Sequence, residues 1–514
     1  MFSEQNLPIP IQPKQVWLGG ALLLVALACG GFYLVLQTSH SAPAILTARL
    51  PGMDQQTSVT AAATPFASGR LRPGPGAPAT TTGAWPCFRG SHGDNIATGN
   101  PPLTQHWKEL WRIDVGEGYA GAAARNGRVY LLDYDQTQQT DALRCLSLAD
   151  GQEIWRFSYP VKIKRNHGMS RTVPTVTDRY VVALGPKCHV ICLDAQTGQF
   201  QWGLDLVKEF NVEVPQWYAG QCPLVDGDRV ILGTGGDALL IAVELATGKL
   251  LWKTPNPHDW KMTHSSVVPI VVTGQRQYVY CGSGGVAGIA AGDGRLLWET
   301  DAWQISIATI PSPVPVGADR IFLSGGYNAG SLMLRLVESA GKIEPRVECR
   351  LPATEFGSTQ QTPILYQNHI YGVRPDGQFA CLDLTGKTLW ASGGAARFGL
   401  GPYLIAGTQI LALNDDGWLT LADATPAAYH PLARARILTG HDAWAPMAFV
   451  DGRLLARDLT QMVCLDMVGS GAESNETRFS AIPPAPLGMV GRGVPTASPA
   501  NHGGLGTDRP TGSE

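Results

Sequence analysis

Charge is scarce in this 514-residue chain. Asp, Glu, Lys and Arg make up 16% of it, and 39 basic residues against 42 acidic ones leave a formal net charge of −3. Such a balance provides no basic stripe to track a phosphate backbone, which excludes nucleic acid as a partner class. Catalytic signatures are absent too: there is no G-x-S-x-G, no H-E-x-x-H and no phosphate-binding loop. Gly233-Thr234-Gly235-Gly236 and Gly282-Ser283-Gly284-Gly285 read as turns between strands. No two cysteines are adjacent. Four of the ten, Cys145, Cys192, Cys381 and Cys464, precede Leu-Asp or Leu-Ser at one recurring position, as small apolar fillers do. Cys188 and Cys192 flank His189, but no second pair completes a zinc site, so no metal is expected. A disulfide involving Cys222 or Cys281 stays open.

What the chain has instead is a repeat. Leu239 to Trp252 reads as a seven-residue aliphatic strand, a turn at Ala246-Thr247-Gly248, and a second strand closed by tryptophan. The phrase recurs with closing residues Trp155, Trp202, Trp252, Trp298 and Trp390, at gaps of 47, 50, 46 and 92 residues. The last gap is two periods, so a degenerate copy belongs near Gly341 to Pro345, and another near Leu419 to Ile437. Trp111 precedes Trp155 by 44 residues and has no hairpin partner upstream. Its missing half is expected at Arg457 to Met467. These six tryptophans are the expected blade-docking residues. A period near 46 with four short strands per unit predicts an all-β, eight-bladed β-propeller of four-stranded blades. A second register agrees: Pro174, Pro223, Pro269, Pro313, Pro363, Pro402 and Pro446, with Ala124 in the first unit, open the innermost strands, where a residue without N–H is tolerated. A lead-in packed outside the ring would make the count seven.

The phrase Leu193-Asp194-Ala195-Gln196-Thr197-Gly198 with Trp202 resembles the repeat of pyrroloquinoline-quinone-like (PQQ-like) propellers. Trp85-Pro86-Cys87-Phe88-Arg89-Gly90 resembles the lead-in of their membrane-anchored bacterial members. The resemblance covers residues 85 to 467 and implies the quinoprotein-like fold. It extends to two kinds of activity, quinone-dependent dehydrogenases and non-catalytic scaffolds, among them the propeller lipoprotein of outer-membrane β-barrel assembly. Members that are enzymes bring PQQ with calcium, a catalytic carboxylate, and often adjacent cysteines. This chain has no adjacent cysteines, and its repeats leave little sequence to roof a cofactor.

Residues 1–15 read as a cytoplasmic tail. Val16 to Leu36, 21 residues without a charge, is long enough to cross a bilayer as a helix. It reads as an uncleaved signal-anchor, with lipidation at Cys29 and cleavage after Ala42-Pro43-Ala44 as alternatives. Lys14 directs the propeller to the periplasmic or other extracytoplasmic side of a single-pass protein. Residues 37–84, rich in Pro, Ala, Thr and Gly, read as a flexible linker, 85–467 as the propeller, and 468–514 as a disordered tail.

At the channel mouth the proline register collects Arg171, Tyr218, His264 and Gln360, with Ser266 and Ser358 beside them. Arg397, His441 and Trp444 fall near the same rim, and His167 is close by. Together they form a candidate ligand-binding set for an anionic or planar molecule, with no catalytic residue. The expected function is a non-catalytic, membrane-anchored binding or scaffold module working on envelope proteins, without cofactor. A PQQ-dependent oxidoreductase and a small-ligand or glycan sensor are the alternatives.

Overall fold

The computed structural model describes residues 64–97, 99 and 103–469. The expected membrane segment 16–36, the stretch 37–63 and the tail beyond residue 469 lie outside the described residues. Among the described residues, no helix is long and apolar enough to cross a membrane.

Eight sheets follow one another in chain order, each built on an antiparallel core and with at least four strands. The motif residues show why. The aliphatic run forms strand Ala238–Glu244, buried along nearly its whole length, because both faces are covered by neighbouring blades. In the turn of the second blade, Asp194 Oδ1 accepts from the amides of Gln196 and Thr197 and from the Thr197 hydroxyl at 2.8–3.0 Å. Aspartate and threonine thus close the turn chemically, and Gly198 supplies its positive φ of 75°.

The cysteines at the recurring position pair directly with the closing tryptophans: Cys145 with Trp155, Cys192 with Trp202, and Cys381 with Trp390. A register shift follows each of these pairs. The same pairing and shift reveal the degenerate units. In the fifth blade Cys349 stands opposite Met333, in the tryptophan slot, and in the seventh Ala433 stands opposite Leu421. All nine described cysteines are free thiols, Cys222 and Cys281 included.

Ring closure joins the two ends of the domain. Strand Lys108–Asp114 is the outermost strand of the eighth sheet, hydrogen-bonded to Gln461–Asp466 with Trp111 opposite Cys464. The ring therefore has eight blades. The lead-in does not pack outside it.

Each closing tryptophan that reaches forward lands on the next blade's turn. Trp111 Nε1 donates to Leu148 O, Trp155 to Gln196 O, Trp202 to Leu245 O and Trp390 to Thr425 O, at 2.8–3.1 Å. The ring of Trp202 covers the Cα of Gly248, where a Cβ would lie 2.7 Å from an indole carbon. Trp252 covers Gly294 of the next turn in the same way, but its buried Nε1 has no partner, and Trp298 departs from the pattern altogether. Its Nε1 bonds Gln277 within its own blade, and the degenerate turn at Gly341 has no neighbour within reach of a Cβ.

The linker 37–84 needs correction over its described part. Pro65–Ser68 is a 3-10 turn, and Arg70–Pro73 is a strand added to the outer edge of the first blade, paired with Trp155 to Ser158. Proline and arginine suit such an edge, where one row of donors goes unused. Phe66 is the anchor, buried between Tyr159, His189 and Phe200.

One buried acid makes this fold pH-sensitive. Asp141, fully buried in strand Thr140–Ser147, accepts the Tyr159 hydroxyl at 3.0 Å, while its Oδ1 has no partner. Burial pushes the carboxyl from 3.8 up to about 7, against the lowering effect of Tyr159 and the Ala142 amide. A raised carboxylate stabilises the fold below its unfolded value, and that contribution is lost as pH rises toward 7. Asp141→Asn, which keeps an acceptor for Tyr159, should therefore melt above the wild type at pH 8 and close the gap toward pH 4. Thermal melts of both proteins across that range check this; a difference independent of pH would contradict it.

Candidate functional site

The inner ends of the blades surround a channel, and the first thing built there is a belt. The Val173 amide donates to Cys222 Sγ, Cys222 N to Ser266 Oγ, Ser266 N to Ser312 Oγ, and Ser312 N to Thr362 Oγ1, at 2.9–3.2 Å. These residues sit on consecutive blades, so each blade's amide is satisfied by the next blade's side chain. Cys222 is thus a hydrogen-bonding thiol in a polar belt, its pKa pushed by burial to about 12. Sequence reasoning missed the belt, although its signal was present: most members immediately precede a register proline. Ser266 precedes Pro269 by three, and Pro269 lies inside strand Val268–Val272 rather than ahead of it.

One end of the channel is crossed by the lead-in. Ala84–Trp85 pairs with Ala124 and Arg125 of the first blade, and Pro86 O accepts from Val176 of the second. Arg89 Nη2 then donates to Pro363 O, at the start of the sixth blade, at 3.0 Å. Asn95 bonds Tyr403 O at 2.7 Å, and Ile96–Ala97 runs parallel to Ile405–Ala406 of the seventh blade. In a ring of eight the second and sixth blades are opposite each other, so the lead-in spans the axis.

Between this floor and the mouth lies a cavity of about 430 Å³, within the usual range for small-molecule sites. Of the residues expected at the rim, Arg171, His264, Gln360 and Trp444 line it, with His167. Tyr218 does not. It is buried behind the wall, donating to Lys164 O at 2.6 Å and accepting from His264 Nε2 at 2.9 Å. Ser266 and Ser358 are buried between inner strands. Arg397 is exposed and bridges Gln378 by backbone only. His441 is exposed and lies 3.3 Å from Asp442.

Aromatic faces form the walls. Tyr119 and Trp444 stack with centroids 5.1 Å apart, and the Arg171 guanidinium lies over Tyr119 at 5.1 Å. Arg171 bonds three carbonyls, of Trp217, Asn166 and Gly168, and no carboxylate. Burial lowers its pKa to about 10, and burial with Arg171 nearby lowers His264 to about 4, leaving that imidazole neutral. Arg89, contributed by the lead-in, was missed as a lining residue. Its Nε is buried without a partner. No Asp or Glu lines the cavity. Two carboxylates bond lining residues from behind: Asp415 Oδ1 accepts from Trp444 Nε1 and Leu400 N, both at 2.8 Å, and Asp442 Oδ2 accepts the Tyr119 hydroxyl at 3.4 Å.

The repeat geometry has its counterpart among known proteins. A family model described as outer membrane protein assembly factor BamB, of the PQQ-type repeat, matches residues 139–392. Over those residues the chain is similar to the PQQ-like propeller family. A curated relative, outer membrane protein assembly factor BamB of Moranella endobia, is 25% identical over 253 residues. That match takes in 47% of this chain and 62% of the relative, so it spans less than two thirds of the relative's length. Among solved structures, the quinohemoprotein alcohol dehydrogenase of Comamonas testosteroni superposes with a TM-score of 0.53 at 13% identity, over 78% of this chain and 82% of that one. BamB of Moraxella catarrhalis gives 0.49 at 14% identity, over 70% and 100%. The likeness to the Comamonas structure shows the fold.

The cavity of this PQQ-like propeller does not fit a calcium-held quinone. Calcium takes six to eight oxygen ligands, usually with carboxylates among them, and the lining offers none. Among the described residues, no three His, Cys, Asp or Glu side chains come together as a metal site.

Proposed function

We propose that the chain is a non-catalytic binding platform in assembly of the bacterial outer membrane, working on envelope proteins from the extracytoplasmic side. The observation that carries this reading is the BamB family match over residues 139–392. A channel lined without a carboxylate agrees with it, since no acidic ligand for calcium stands there. The uncharged stretch 16–36 supports tethering to a membrane. A tether raises the local concentration of a binding module near its partners without any new contact.

Two measurements test the proposal. Loss of the gene should lower the level of outer-membrane β-barrel proteins, and the full chain should restore it. Unchanged levels would count against the assembly role. Calorimetric titration with PQQ and calcium should give no saturable heat. Binding near 1 μM, about −8 kcal/mol, would restore the oxidoreductase reading.

A further inference from the structure

The geometry points to a second capacity, independent of the scaffold role: the central cavity is a binding site for a small aromatic carboxylate. Its charge is unusual. Arg89 and Arg171 both line it, Arg89 is buried and Arg171 partly so, and every hydrogen bond either makes is to a neutral carbonyl. Buried charges are ordinarily paired, because the loss of hydration is otherwise uncompensated. Here no lining residue is acidic, and the Arg89 Nε donor is orphaned. The missing partner is an anion.

The walls specify its shape. Tyr119 stacked on Trp444 presents flat π-surface, and Trp217 and Phe88 add two more rings to the lining. Aromatic surfaces favour a flat apolar body by offset stacking, and a planar guanidinium favours a planar, two-oxygen anion over a spherical one. The cavity volume of about 430 Å³ suits a molecule of one or two rings. No bond is made or broken; the site holds the molecule and releases it.

The test uses the purified full chain and 4-hydroxybenzoate as the probe, with 4-hydroxybenzamide as its uncharged counterpart and a protein-free blank. Calorimetry should show saturable binding of the carboxylate and at least about tenfold weaker binding of the amide. Arg171→Gln should weaken carboxylate binding by a similar factor. Because removal of a buried arginine can disturb folding, Gln360→Glu provides a second arm. It places a carboxylate in the lining, and should weaken the probe at least about tenfold while leaving the melting temperature unchanged or higher. Absence of saturable binding, equal affinity for acid and amide, or full affinity in both variants would overturn the site.

Discussion

Deletion of residues 441–467 should abolish cooperative unfolding of the propeller. The deleted stretch carries three strands of the eighth blade, and its loss strands Lys108–Asp114 without a partner. It also removes a row of fully buried side chains, among them Leu454, Leu455, Met462 and Val463, and bares the facing surfaces of the first and seventh blades. At about 1.5–3 kcal/mol for each large apolar side chain, the loss approaches the entire stability of an ordinary domain. Arg457 adds to it. Wholly buried, it donates to Asp458 O, Leu459 O and Gly116 O, the last just beyond the closing strand. Calorimetry should show no sharp endotherm, and limited proteolysis should leave no resistant core. A folded, monomeric remainder would mean that the two chain ends do not staple the ring.

The second large effect is expected at a blade junction. Trp202→Ala empties the space over Gly248 and leaves Leu245 O without its indole donor at 2.8 Å. Truncation of a buried tryptophan costs about 3–5 kcal/mol. Gly248→Ala attacks the same contact from the other side, with φ at +71° and a Cβ 2.7 Å from the indole. The two substitutions should not add. With the indole gone, the Cβ at 248 has room, so the double mutant should be more stable than the sum of the singles predicts. Guanidinium titrations of the four proteins measure the coupling; strict additivity would mean that indole and turn do not dock.

The blade architecture was legible because it is written locally. An Asp and Thr that close a turn and a Cys opposite a Trp each lie within one hairpin, so their period shows in a single chain. The degenerate fifth and seventh blades were located by spacing, but their slot residues, Cys349 and Ala433, carry no signature of their own and needed the pairing register. The mouth was less legible. Stepping back from each proline found Arg171, His264 and Gln360, yet failed at Arg397 and His441, which the same offsets leave exposed to solvent. Arg89 could not be found this way at all. It reaches the cavity because the lead-in crosses the axis, a long-range event encoded by contacts with the first, second, sixth and seventh blades. The strand at Arg70–Pro73 was hidden by its composition, which is that of a linker, while its order comes from Phe66 and from the open edge it meets.

That added strand also decides how the ring bears load. Chain tension arriving from the N-terminal side meets Phe66 and the four-residue strand Arg70–Pro73 before it reaches anything else. The strap is attached to the rim of the first blade, while the strand that locks the circle, Lys108–Asp114, lies further along the chain behind the axial lead-in. A pull therefore works first on a short peripheral fastening whose loss leaves all eight blades paired. The strap acts as a mechanical fuse that yields before the lock does, and single-molecule pulling from residue 64 should record its small release ahead of the rupture of the ring.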